Sequence, residues 1–395
     1  MPVTQFDVII LGAGASGLSA AALASARGRR VLMLDHAARP GIKVLLAGGG
    51  KANFTNMQMS EAFFHSANPK FVRSALHRFT PQDSIDWVTQ AGVAIEEREH
   101  GQVFCSRSAK DLCRLLMASC QKCTLSLNET ISRVEKTGDI FAVTTKTSTF
   151  TAQSLVIALG SRAWPQAGAT NLGLRLARQF GHKVFEPQPA LVGLAMPSDW
   201  PLFQMEGLSL PVCLTTSCEK KPLSFTLPLL FTHKGISGPA VLQASLYWQQ
   251  GEKLLCNFLP HTTLAELFSA REHGKLLVKN LLKRHFPERL ALRLCEMAGP
   301  EVANSKVAEI SKAVKAALHQ LIHVSSLAPV ASEGFARAEV ARGGVSTEHI
   351  QSKSMESTLV PGLFFCGEVL DITGRLGGYN LHWAFASGRA AGACA

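Results

Sequence analysis

The stretch Phe6–Asp35, FDVIILGAGASGLSAAALASARGRRVLMLD, decides the fold. It reads as strand, glycine turn, helix, strand. Val8–Leu11 is the apolar run of a strand buried on both faces. Gly12, Gly14 and Gly17 follow in the G-x-G-x-x-G pattern. Gly12 permits the tight turn, Gly14 lets a pyrophosphate approach the backbone, and Gly17 lets the helix pack on the strand. The helix is alanine-rich, and Gly28 is its natural stop. Val31–Leu34 is a second buried strand. It ends at Asp35, about 20 residues past the glycines, where a carboxylate can hold a ribose 2′-OH. Strand, helix and acid together point to a dinucleotide site and leave FAD and NAD(P) open.

At 395 residues the chain is long for one domain, so two or three are expected. Its apolar fraction of 47% fills a sizeable core. No apolar run reaches the ~18 residues of a membrane span, and Asp7 with no basic n-region argues against a signal peptide. Ten cysteines without a regular framework suit a reducing cytoplasm. Cys120 and Cys123 form a C-x-x-C. With no second C-x-x-C or His pair, zinc is not expected, and a redox pair stands beside the plain reading of two cysteines at a helix end. The formal charge of +11 favours an anionic cofactor and is compatible with RNA or an acidic substrate. No RNA-recognition motif is evident.

Lys43–Asn56, KVLLAGGGKANFTN, reads as a loop wrapped on phosphate or a flavin edge. Its glycines expose backbone N–H groups, Lys51 adds charge, and Asn53, Thr55 and Asn56 add donors and acceptors. Helices are expected at 71–79, at 81–91 with Thr80 as N-cap and Pro81 in the first turn, and at 108–120. Cys105 reads as a buried structural thiol. Residues 124–151 alternate as a small antiparallel sheet does. Ser154–Gly160 is another buried strand, with Trp164 and Pro165 in the loop after it placed to cover a cofactor.

Pro187 and Pro189 mark a boundary. Strands are expected from 190 to about 260. Thr232, His233, Lys234, Gly235 and Gly238 gather where a strand ends and a helix begins, and His233 is a candidate acid/base or substrate ligand. Residues 262–320 read as helices with interspersed charge, either solvated faces or a surface for RNA phosphates. A strand at 336–345 leads back to the first domain. Then LVPGLFFCGE ends a strand at Gly367-Glu368, followed by Asp371, Gly374, Gly377, Gly378, Tyr379, Asn380 and a helix from Leu381. Glu368 can bond a ribityl hydroxyl, and the helix N-terminus can stabilise charge on a reduced flavin. This second element shifts the cofactor from NAD to FAD.

GAGASG, LLAGGGKANFTN, FTHKGISGP, ARGGVS and GLFFCGEVLDITGRLGGYNLHWAFASG together resemble the bacterial YhiN/BaiN-like flavoprotein family, which belongs with the glutathione-reductase-like FAD folds. The resemblance implies an α/β Rossmann-type FAD-binding domain (1–189 and 345–395), interrupted by a β-rich, barrel-like domain (190–261 and 321–344) and a helical subdomain (262–320). It also implies reduction of activated C=C bonds, as in bile-acid intermediates or ribosomal RNA uridine. Where family members carry S-G-G-G-R-C-N, this chain has Ala47-Gly-Gly-Gly-Lys51-Ala52-Asn53. No mechanism that needs the cysteine can operate here, and Lys51 lacks the planar fork of arginine. The loop after the returning strand departs too, reading Gly160-Ser-Arg-Ala-Trp-Pro165.

The expected function is an FAD-dependent oxidoreductase, a reductase passing hydride to an activated C=C bond. NADPH or NADH would visit transiently, since no second G-x-G-x-x-G is present. The alternatives are a uridine-reducing enzyme acting on ribosomal RNA, a non-catalytic FAD-binding scaffold or regulator, and an amine or amino-ketone oxidase using O₂. The expected cofactor-binding residues are Gly12, Gly14, Ala15, Ser16, Gly17, Asp35, Lys43, Gly49, Gly50, Lys51, Asn53, Gly160, Gly367, Glu368, Gly377, Gly378, Tyr379, Asn380 and Leu381. His233, Tyr379, His382 and Cys105 are the candidates for proton delivery.

Overall fold

The computed structural model describes residues 3–216 and 222–395. The chain divides into two compact units, Met1–Gln188 with Glu339–Ala395, and Pro189–Ala338.

The first unit is built on a five-stranded sheet. In spatial order its strands are Leu363–Phe365, Ser154–Ile157, Val8–Leu11, Val31–Leu34 and Thr124–Ser126. All four pairings are parallel. Every residue of Val8–Leu11, Val31–Leu34 and Ser154–Ile157 is buried, as strands covered on both faces require. Thr124–Ser126 was expected in the antiparallel sheet but forms the fifth parallel strand, beside Leu32–Leu34. The antiparallel meander is Arg133–Thr137, Ile140–Thr144 and Thr149–Ala152, and Val3–Gln5 joins its edge in parallel.

The helix Ala15–Ala26 packs against the C-terminal helix Tyr379–Gly392 at backbone distance. A Cβ on Gly388 would sit 2.3 Å from Ser16 O, and one on Gly392 2.1 Å from Ala20 O. The two ends of the chain are therefore clamped together, which brings the glycine turn and the C-terminal motif to one place. Thr80 caps Pro81–Gln90 in a reciprocal capping box with Asp83.

The second unit holds a seven-stranded sheet in the order Ser325–Leu327, Leu254–Asn257, Ser209–Thr216, Leu223–Thr232, Gly235–Ser237, Leu194–Ala195, Ala331–Ser332. Its pairings are antiparallel. The helices between 262 and 323 share its core: Leu281, Leu290, Leu294, Leu318 and Ile322 cluster with Leu214, Phe231 and Phe258. Among the described residues no helix is long and apolar enough to cross a membrane.

Candidate functional site

The glycine turn takes the form its spacing requires. Gly12 has φ 104°, and a Cβ there would lie 2.5 Å from Ala158 O. A Cβ on Gly17 would meet Gly12 O at 1.9 Å. Gly14 is different: nothing lies within 4 Å of its Cβ position. Two glycines are thus demanded by the protein itself, and the third leaves open space at the start of a helix. There the N–H groups of Ala15, Ser16 and Gly17 have no intrahelical acceptor and favour an anion. Asp35 locks the turn to the strand end, accepting Ala13 N at 2.7 Å and Ala37 N at 2.8 Å. The Trp164–Gly168 loop comes close to the next residue, with the Cβ position of Gly168 2.9 Å from His36 Nε2.

The segment read as a loop from Lys43 begins instead as a helix, Ile42–Gly50, broken at Ala47–Gly49. Leu45 and Leu46 extend it, and the glycines unwind it. Gly48 is required by space, since a Cβ would meet Asn53 N at 2.7 Å. Gly49 and Gly50 also have positive φ, and nothing crowds the Gly49 Cβ position. Lys51 Nζ lies 3.2 Å from Glu96, which also pairs with Arg98 at 2.8 Å. Arg98, then Lys51, holds the Glu96 carboxyl below its ordinary range. Asn53 Nδ2 donates to Gln102 at 2.7 Å. Its Oδ1 is buried with no hydrogen-bond partner among the described residues, and lies 2.7 Å from the Cβ position of Gly378.

The C-terminal element closes the site. Gly367 has φ 76° and rests on Ser16, whose Oγ is 2.5 Å from its Cβ position. The Glu368 carboxylate accepts Ser161 Oγ at 2.7 Å, Ala341 N at 3.0 Å and Lys43 Nζ at 2.7 Å. It gathers three separate segments, one of them directly after Gly160 with its φ of 65°. Gly377 and Gly378 have φ 123° and 94°, and Gly378 caps the helix that presents the N–H groups of Tyr379, Asn380 and Leu381. Asn380 ties down the preceding loop, accepting Gly374 N at 2.7 Å and donating to Gly374 O at 2.8 Å. Tyr379 packs edge-on against Phe63 and Phe64, and burial pushes its phenol up to about 12.

His382 is corrected as a proton donor. It is fully buried, stacked on Phe79, with Nδ1 2.8 Å from Thr55 Oγ1 and Nε2 2.9 Å from Phe79 O. A carbonyl can only accept, so Nε2–H donates to Phe79 and Nδ1 accepts from Thr55. Burial pushes the ring down to about 4, and both nitrogens are spent on holding the fold. His233 is exposed at a hairpin tip of the second unit, between Thr232 and Gly235. Cys105 is fully buried, and burial pushes its thiol up to about 11.

Two groups were missed, and a third, Asp371, was noted without a role. Ser161 and Ala341 converge on Glu368, and only the tertiary fold places them there. Asp371 is 5% exposed and accepts Ala67 N at 2.9 Å, and burial pushes its carboxyl up to about 6. Its place three residues after Glu368 in the glycine-rich stretch was the available signal.

The residues present fit FAD. Open space at Gly14 stands over free helix N–H groups, an acid ends the second strand where a ribose hydroxyl can reach it, and a buried oxygen on Asn53, unpartnered among the described residues, lies against the helix cap at Gly378. Such a two-ended site, at the glycine turn and at the C-terminal helix, defines a flavoprotein of the oxidoreductase class. Residues 6–394 match the family described as HI0933-like protein Rossmann domain, and the chain belongs to that family. It is 39% identical to the ribosomal RNA dihydrouridine synthase of Escherichia coli K12, over 99% of this chain and 97% of that one. It is 40% identical to the protein of the same name in Haemophilus influenzae, over 96% of each. A 3-dehydro-bile acid delta(4,6)-reductase of Clostridium scindens is 29% identical over 98% of each. In fold, the chain matches the E. coli quinol fumarate reductase subunit FrdA with a TM-score of 0.53 at 15% identity, covering 100% of this chain and 70% of that one.

Proposed function

We propose that this protein is an FAD-dependent reductase of uridine in ribosomal RNA, forming dihydrouridine. The observation that carries the reading is the end-to-end similarity, near 40% identity, to two proteins of that name. The charge of +11 suits a polyanionic substrate. The reaction adds a hydride to C6 and a proton to C5 of the uracil ring, a C=C bond activated by conjugation to C4=O. Bound FAD, once reduced, would supply the hydride, with NADPH or NADH as the proposed donor of its electrons.

The chain's own residues divide the remaining work. Ala15–Gly17 and the Gly14 gap would hold the pyrophosphate, and Asp35 would hold the ribose. Glu368, fixed by Ser161, Ala341 and Lys43, would orient the ribityl chain. The N–H groups of Tyr379–Leu381 would stabilise negative charge at the pyrimidine end of the flavin. Tyr379 is assigned the proton for C5, because burial keeps its phenol protonated at neutral pH and it begins the helix whose N–H groups would hold the flavin.

The basic helices of the second unit do not by themselves define an RNA surface. Lys283, Arg293 and Lys306 each face a carboxylate, of Glu288, Glu296 and Glu309 respectively.

The direct test is anaerobic. The holoprotein is first reduced with NADPH or NADH, then mixed with ribosomal RNA from a strain lacking the gene. Recovery of the oxidised flavin absorbance with stoichiometric dihydrouridine supports the reading. A flavin reoxidised by a bile-acid-type dienone but not by RNA contradicts it.

A further inference from the structure

Cys120 and Cys123 take no part in the site described above. They bracket the turn after the helix Ala109–Ala118, closed by Cys123 N donating to Cys120 O at 2.9 Å. Such a turn brings the two Cα atoms within about 7 Å, and a disulfide spans ~4.4–6.8 Å between Cα atoms. Both side chains point the same way. Cys120 Sγ donates to Leu18 O at 3.2 Å and Cys123 Sγ to Ala21 O at 3.6 Å. Those carbonyls lie three residues apart on one helix, so the sulfurs sit side by side against one face. Their accessibility differs: Cys120 is 4% exposed, while Cys123 is half-buried and follows the exposed Gln121 and Lys122.

We propose that Cys120 and Cys123 form a dithiol site that exchanges with low-molecular-weight disulfides, Cys123 attacking first and Cys120 resolving. The division of labour follows from the surroundings. When Cys123 ionises, the Cys120 S–H turns from Leu18 O to its neighbour's sulfur. That hydrogen bond lowers the Cys123 thiol and raises that of Cys120. The accessible sulfur is therefore the more readily ionised of the two, and the thiolate is the nucleophilic form. The buried one stays protonated until an adjacent disulfide forms.

The steps balance. Cys123 thiolate attacks one sulfur of R–S–S–R. A Cys123–S–S–R bond forms, the reagent's S–S bond breaks, and RS⁻ leaves and takes a proton from water. Cys120 then gives its proton to solvent and attacks Cys123 Sγ. The intramolecular disulfide forms and the second RS⁻ leaves, also to be protonated. Two protein thiols are oxidised by two electrons, and one small disulfide is reduced to two thiols. Leu18 O and Ala21 O keep their helical N–H donors throughout, so the oxidised chain keeps its fold and its flavin.

The test uses the full-length holoprotein, reduced and freed of reductant, then incubated with oxidised glutathione. Remaining thiols are alkylated after denaturation and the peptides mapped without reduction. The expected product is a Cys120–Cys123 disulfide, with both residues lost to the alkylating reagent and the flavin absorbance unchanged. Cys120→Ser should halt at a stable glutathione adduct on Cys123, and Cys123→Ser should leave Cys120 unreacted. If the unaltered chain keeps both thiols alkylatable, or accumulates the adduct on Cys123 without closing the ring, the proposal fails. That readout needs no variant to fold.

Discussion

Lys43 Nζ lies 2.7 Å from Glu368 Oε2, joining residues 325 apart in sequence. The lysine is 40% exposed and the glutamate 18%, so the pair holds geometry more than it adds stability, roughly 0.2–1 kcal/mol for exposed pairs. Lys43→Met therefore leaves the thermal midpoint within a few degrees of the parent. In the proposed binding mode it would loosen the grip of Glu368 on the ribityl chain. Flavin per protein after gel filtration should fall about fivefold, which is about 1 kcal/mol. Full retention would mean that Glu368 is positioned without the lysine.

The three glycines of the turn should respond differently to alanine. Gly12→Ala and Gly17→Ala drive a methyl into Ala158 O and Gly12 O, so neither variant should accumulate as folded protein. Gly14→Ala meets nothing, and its φ of −84° suits alanine. That variant should melt near the parent without flavin and bind FAD at least about tenfold more weakly, a loss of about 1.4 kcal/mol. Equal FAD affinity by titration would remove Gly14 from the cofactor site.

His382 governs acid stability in this account rather than catalysis. Its ring is pushed down from an ordinary 6.5 to about 4 by burial. The folded state binds fewer protons than the unfolded chain across that window. Stability is thus full above pH 6.5 and is lost as pH falls through 4. His65 and His182, also pushed down to about 4 by burial, act with the same sign. Asp371, pushed up to about 6, acts with the opposite sign, losing its contribution as pH rises through 6. His382→Leu strands the Thr55 hydroxyl and Phe79 carbonyl and should cost about 1–3 kcal/mol at pH 7. Its melting temperature should fall less steeply between pH 6.5 and 4 than the parent's. An unchanged slope would contradict the neutral, doubly bonded ring.

Tyr379→Phe removes the assigned proton while keeping the packing against Phe63 and Phe64. Turnover should drop by about 10²-fold, with flavin content and reduction by the nicotinamide donor unaltered. Turnover at the parent rate with bound flavin would assign the proton elsewhere.

What the sequence revealed follows from the range of the forces involved. The Gly12–Gly17 turn and its strands were legible because local backbone geometry and burial on both faces dictate residue type directly. Gly367 and the helix cap at Gly378 were legible for the same reason, as the positive φ at each disfavours a side chain. Thr124–Ser126 was misplaced because one exposed and two half-buried residues carry too little pattern to choose between two sheets. The helix at Ile42 was hidden by the glycines that end it. His382 looked chemical because a histidine at a helix start is ambiguous until Thr55 and Phe79, over 300 residues away, are seen to occupy both its nitrogens. The convergence of Ser161 and Ala341 on Glu368 has no local signature at all.

Whether this flavoprotein reduces uridine in ribosomal RNA is decided by nucleoside mass spectrometry. Ribosomal RNA from a strain with the gene is compared with RNA from a deletion strain and from that strain complemented with the parent chain or Tyr379→Phe. Dihydrouridine should disappear on deletion, return with the parent and return poorly with the variant. Identical dihydrouridine content in the parent and deletion strains would contradict it.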